Sequence, residues 1–227
     1  MPPYPRQLTD VLSEHLSSSW NLARLKFMAR YVGSLLQMRT TNGKELALTL
    51  NPEVKNKSNY RRIQRFMADY DFGFDSFGRF LLWLLPQGSG FVVVMDRTDR
   101  TEWHFGSKPV NVLMIGVAYK GAAFPVIWEV LSSEKGQNKG KAGCSSTAER
   151  KELFELLGLT FVWAHLIGQE RHARDPLRVK KHGWREKSFF RYGLELLRSI
   201  MLNWQSKKEE FRRCIRVLVA PSEFFVV

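Results

Sequence analysis

The spacing of apolar residues changes near residue 90. Before that point they recur at helical intervals. Within 21–37, Leu22, Leu25, Met28, Ala29, Val32, Leu35 and Leu36 share one helical face, with Arg24 and Lys26 off it. Thr41-Asn42-Gly43 breaks the pattern, and a short helix over 44–50 ends at Asn51-Pro52. Ser58 reads as the N-cap of a further helix, NYRRIQRFMADY, whose apolar face is Ile63, Phe66, Met67 and Tyr70. Arg61, Arg62 and Arg65 fall on its other side, where they form either a phosphate-contacting row or an ordinary solvated face.

After the hinge Gln87-Gly88-Ser89-Gly90 the apolar residues come in short runs, at 91–95, 110–119 and 122–131. Lys120-Gly121 joins the last two as a two-residue hairpin turn, and Pro125 marks the third run as an edge strand or a bulged one. Three successive strands predict an antiparallel meander. A polar, glycine-rich stretch over 134–146 leads into a helix capped by Thr147. Gly158-Leu159 closes that helix, and TFVWAHLIGQERHARDP forms another. A basic loop follows (Arg178, Lys180, Lys181, His182, Gly183), then a helix with Phe190, Leu194, Leu197 and Met201 on its stripe, and a charged helix over 206–217. The fold class is α+β in three parts: a helical DNA-binding domain at 1–88, a core at 89–159 and a helical basic tail at 160–227. The β-β-β-α order of the middle part is that of the opening half of a ribonuclease H-like domain.

Charge sharpens this division. The 227 residues carry a net charge of +13. Segment 1–90 contributes +5 (12 basic, 7 acidic), 91–159 contributes +1 (9 and 8), and 160–227 contributes +7 (14 and 7). A basic excess at both ends points to a polyanion, most simply nucleic acid. A basic membrane-surface or ribosomal protein is the plainer reading. No apolar run reaches the ~18 residues of a membrane span. Cys144 and Cys214 lack a CxxC partner and read as free thiols in a cytoplasmic protein. The five histidines show no metal-ligand spacing and read as structural.

One stretch points to chemistry. In FVVVMDRTDRTEW an apolar strand runs into an aspartate. A carboxylate on a rigid strand tip is one way to hold a divalent ion for phosphodiester chemistry. The DRT tripeptide occurs twice, at 96–98 and 99–101; strand geometry favours Asp96, and the tryptophan-linked context favours Asp99. A polar β-turn is the bland alternative for the pair.

Together with NVLMIGVAYKG, FPVIW, the N-terminal LARLKFMARYVGSLLQ and SNYRRIQRF, and the tail VKKHGWREKSFFRYGLELLR, the DRTEWHFG segment resembles bacterial DDE transposases of the insertion-sequence-4 type. The resemblance covers most of 19–205. It implies DNA cleavage and strand transfer at transposon ends with Mg2+, held in part by Asp96 or Asp99. Beside that carboxylate, Arg97 or Arg100 could contact phosphate, and the clustering of Arg61, Arg62 and Arg65 and of Lys180, Lys181 and Arg185 in the tail makes these the candidate DNA contacts.

The chain departs from the family at two of its three carboxylates. Asp175 follows a helix instead of ending a strand. Arg191 and Glu195 lack the flanking tyrosine and lysine of the family's glutamate signature and read as an i,i+4 surface ion pair. The family's central block is absent between about 157 and 160. The expectation is therefore a catalytically defective transposase-family protein. The alternative is a non-catalytic DNA-binding protein that occupies transposon ends or joins a full-length transposase in a dimer or mixed assembly.

Overall fold

A computed structural model describes residues 4–69, 74–85, 90–105, 108–130 and 145–224. The N-terminal third is helical: α1 (Tyr4–Leu16), α2 (Leu22–Met38), α3 (Gly43–Leu50), α4 (Asn56–Asp69) and α5 (Phe74–Leu84). Side-chain caps set two of these starts. Asn21 accepts the Arg24 N–H at 3.0 Å, and Asn42 accepts the Lys44 N–H at 3.0 Å. The helix assigned to Ser58 begins two residues earlier, so Ser58 is not its cap; its own N–H bonds the Lys55 carbonyl at 2.8 Å. The α3–α4 corner is closed by Asn59, which is fully buried. Its amide donates to the carbonyls of Ala47 (3.0 Å), Asn51 (2.9 Å) and Val54 (3.4 Å), satisfying backbone oxygens that burial would otherwise leave unpaired.

The strands β1 (Val92–Phe105), β2 (Lys108–Tyr119) and β3 (Ala122–Val130) form one antiparallel sheet in the order β1-β2-β3. Lys120 and Gly121 both have positive φ, 45° and 83°, as a two-residue turn matched to the sheet's right-handed twist requires. β3 is an outer strand, and pairing slips by one residue where Gly116 faces Pro125. That is the bulge expected of a proline in a ladder. A Cβ on Gly116 would lie 2.7 Å from the Phe124 carbonyl oxygen, so only glycine fits there.

Two predicted boundaries change. β1 is 14 residues long and continues through Asp96 and Asp99 to Phe105, so neither aspartate stands at a strand end. The two helices read on either side of Gly158 are one, α6 (Ser145–Arg174), 30 residues long. The proposed boundary between 159 and 160 thus falls inside a helix. Gly158 is tolerated in mid-helix because Trp128, Pro125 and Leu81 pack over it.

The chain continues through α7 (Phe189–Leu202), α8 (Lys208–Val219) and the short α9 (Pro221–Phe224). One buried cluster runs from Leu8 to Leu218 and draws on all three predicted segments. Phe77 of α5 and Phe124 and Trp128 of β3 are buried there, and Phe77 meets Trp128 edge-on at 6.4 Å. α6 and α7 cross at contact distance of their backbones. A Cβ on Gly168 would lie 1.8 Å from the Phe189 carbonyl oxygen, and one on Gly193 would lie 1.8 Å from that of Ala164. On α6, Glu170 is buried and takes two bonds from Arg174 (2.8 and 2.9 Å) and one from Arg213 of α8 (2.6 Å). Among the described residues no helix is long and apolar enough to cross a membrane.

Candidate nucleic-acid interface

The segment between α6 and α7, read as a basic loop, is an ordered hairpin. The Gly183 N–H bonds the Lys180 carbonyl at 2.9 Å, and the Lys180 N–H bonds the Trp184 carbonyl at 2.9 Å. Gly183 has φ +82°. This is a tight turn followed by a left-handed glycine, the usual three-residue hairpin loop. Below it Val179 pairs with Arg185, and the Glu186 N–H bonds the Arg178 carbonyl at 2.9 Å.

Both roots are anchored. At the α6 side the Leu177 N–H donates to His172 Nδ1 at 2.9 Å. The Tyr192 hydroxyl donates to Asp175 Oδ2 at 2.6 Å, and the Arg171 guanidinium lies 3.9 Å from the Tyr192 ring centre. At the α7 side Ser188 accepts the Arg191 N–H at 3.2 Å. Leu177, Phe189 and Tyr192 form a small buried cluster under the hairpin.

Side chains alternate across this ribbon. Lys180 and Trp184 face each other, with Arg178 and Glu186 the next pair on the same side. Val179 and Arg185 take the other side, and the Arg185 guanidinium stacks 4.0 Å from the Phe189 ring centre. Arg185 therefore braces the hairpin against α7, while Lys180 and Lys181 stand exposed at its tip with Arg178 and His182. Glu186 faces Arg178 across the ribbon, and among the described residues no carboxylate forms an ion pair with Lys180 or Lys181. Trp184 is 75% exposed. Sequence reading took up the cations of RVKKHGWR but not this tryptophan, although an aromatic set among basic residues was the available signal.

The second cationic surface is α4. Ile63, Phe66 and Met67 are buried, and Phe66 stacks on Phe27 of α2 at 4.2 Å, which fixes the helix's rotation. Arg61, Arg62 and Arg65 are consequently exposed, with Lys57 one turn before Arg61.

The carboxylate site is less built. Asp96 is exposed in mid-strand opposite Met114, and Arg97 beside it is also exposed. Asp99 and Arg100 sit further along β1 opposite Asn111 and Val110, and their side chains lie outside the described residues. Asp175 is committed to Tyr192 and lies in the loop after α6. Glu195 accepts from Lys187 at 2.6 Å and Arg191 at 3.2 Å; the Lys187 bond, foremost, holds its pKa below the usual carboxylate range. Among the described residues no three His, Cys, Asp or Glu side chains converge as a metal site. Mg2+ demands a near-octahedral oxygen shell, and Asp96 alone does not fit that requirement.

Cys214 is a buried free thiol whose pKa is raised by burial. Cys144 and the side chain of His104 lie outside the described residues. Compared with known proteins, the chain matches no family model, no curated protein and no solved structure.

Proposed function

We propose that this chain binds DNA without cutting it. By descent it is a DDE transposase-type protein with a partial ribonuclease H-like core. The observation that carries the reading is the anchored hairpin with exposed Lys180 and Lys181, neither of them ion-paired with a carboxylate among the described residues, and Arg178 exposed beside them. Arg61, Arg62 and Arg65 add a second row of cations on a helix face held by core packing. Such cations displace counterions from phosphates, so affinity falls as salt rises. The antiparallel β1-β2-β3 order followed by α6 is compatible with the ribonuclease H-like reading. On this reading the partner is DNA, with transposon ends and a full-length transposase as the specific candidates.

Electrophoretic shift assays at low and moderate salt test the proposal. Binding to DNA that weakens steeply with salt supports it; equal, salt-insensitive retention by DNA and a neutral polymer rejects it. A nicking assay with Mg2+ tests the second half. Cleavage that disappears in Asp96→Asn or Asp99→Asn would restore the enzyme reading.

A further inference from the structure

We propose that Trp184 is a base-stacking residue, so that the α6–α7 hairpin reads an unpaired nucleobase and not only the phosphate backbone. This rests on the nucleic-acid reading above and specifies the form of nucleic acid the site takes. Trp184 is 75% exposed, whereas Trp20, Trp128, Trp163 and Trp204 are buried. A large apolar ring held in water has a desolvation gain still available to a ligand.

The frame around it is rigid. The Lys180 N–H bonds the Trp184 carbonyl, and the Trp184 N–H donates to His182 Nδ1 at 3.3 Å. Its backbone is therefore set before any ligand arrives, and little conformational entropy remains to be lost there.

Its neighbours favour a polyanion over a protein partner. Lys180 lies directly across the ribbon and Arg178 diagonally, on the same side as the indole; Lys181 and His182 form the turn. Glu186 is the single acid on that side. A planar ring bordered by cations matches a nucleotide, whose base offers a face and whose phosphate offers charge. The bases of an intact duplex are already stacked, so a side chain outside the helix reaches their faces only where the duplex is open. The ligand class is accordingly single-stranded DNA, or duplex ends and bubbles with unpaired bases.

The test is fluorescence anisotropy with the full chain and three labelled probes of equal length: an oligothymidylate, a blunt duplex and an abasic strand. Trp184→Ala should weaken oligothymidylate binding roughly tenfold and leave the other two within twofold, while Trp184→Phe keeps most of the affinity. Lys180→Ala combined with Lys181→Ala should weaken all three alike. Thermal melts confirm that each variant folds, as the exposure of these residues leads one to expect. An equal loss by Trp184→Ala on all three probes, or no loss on oligothymidylate, overturns the stacking role while leaving DNA binding intact. Loss of self-association with oligothymidylate affinity unchanged also overturns it, by reassigning Trp184 to a protein contact. Failure of the wild-type chain to bind any probe overturns both this inference and the proposed function.

Discussion

At the scale of single residues, His165 carries a definite pH signature. It is buried in α6 between aromatic rings, with Phe124 4.7 Å and Phe189 5.6 Å away, both edge-on. Its Nε2 meets no hydrogen-bond acceptor among the described residues. Burial first, and the nearby Arg185 second, push its pKa down to about 4 from an ordinary 6.5. The unfolded chain therefore takes up a proton that the folded chain refuses, so stability is full above pH 6.5 and declines as pH falls towards 4. The loss amounts to about 3 kcal/mol. Urea denaturation at pH 7.5, 6, 5 and 4 should show this decline, and His165→Leu should flatten much of it. Glu170 makes a second residue-level case. Truncating it to alanine removes three charge-assisted bonds from Arg174 and Arg213, but both guanidinium groups are about 40% exposed and water can take them up, so a loss of about 1–3 kcal/mol is expected, read from the urea midpoint.

Between elements, the α6–α7 crossing is the tightest contact. Gly168→Ala and Gly193→Ala each place a methyl within 1.8 Å of a backbone oxygen, so the helices must separate. We expect each to cost about 3 kcal/mol or more, above the usual range for overpacking, because backbone cannot swing aside as a side chain can. Gly158→Ala is the contrasting case. Its methyl would sit 3.6 Å from Trp128, ordinary contact, and the better helix propensity should leave stability unchanged or raise it by up to about 1 kcal/mol. Denaturation midpoints of the three variants check both statements.

These glycines also show where the sequence was readable. Lys120-Gly121 announced its turn because the required backbone angles are local. Gly158 reads locally as a helix end, but its neighbours Trp128 and Leu81 are distant in the chain and outweigh its low propensity. The far half of β1 is not legible as strand because DRTDRTEW has the composition of a turn. An outer strand open to water can carry such residues, and local pattern does not show which strand lies outermost. At the candidate interface the cations were legible from composition. The outward indole of Trp184 and the inward stacking of Arg185 were not, since both depend on hairpin alternation.

For the molecule as a whole, β1 is the exposed flank. Val92, Val93 and Met95 are 65–71% exposed, and among the described residues no strand pairs with β1 opposite β2. An open apolar edge templates pairing with other chains. Met95→Lys should reduce light scattering on concentration or mild heating while leaving the melting temperature nearly unchanged.

The contact between α1 and α8 has a consequence for how the chain is made. α1 packs against α8, and Val11 lines a groove with Ile215 and Val219. α1 waits for α8, which lies almost 200 residues further along the chain. Val11 lacks its full cover until 208–219 has been made, so this part of the core closes late, and premature termination before 208 would yield a nascent product whose α1 exposes that face to holdase chaperones and proteases.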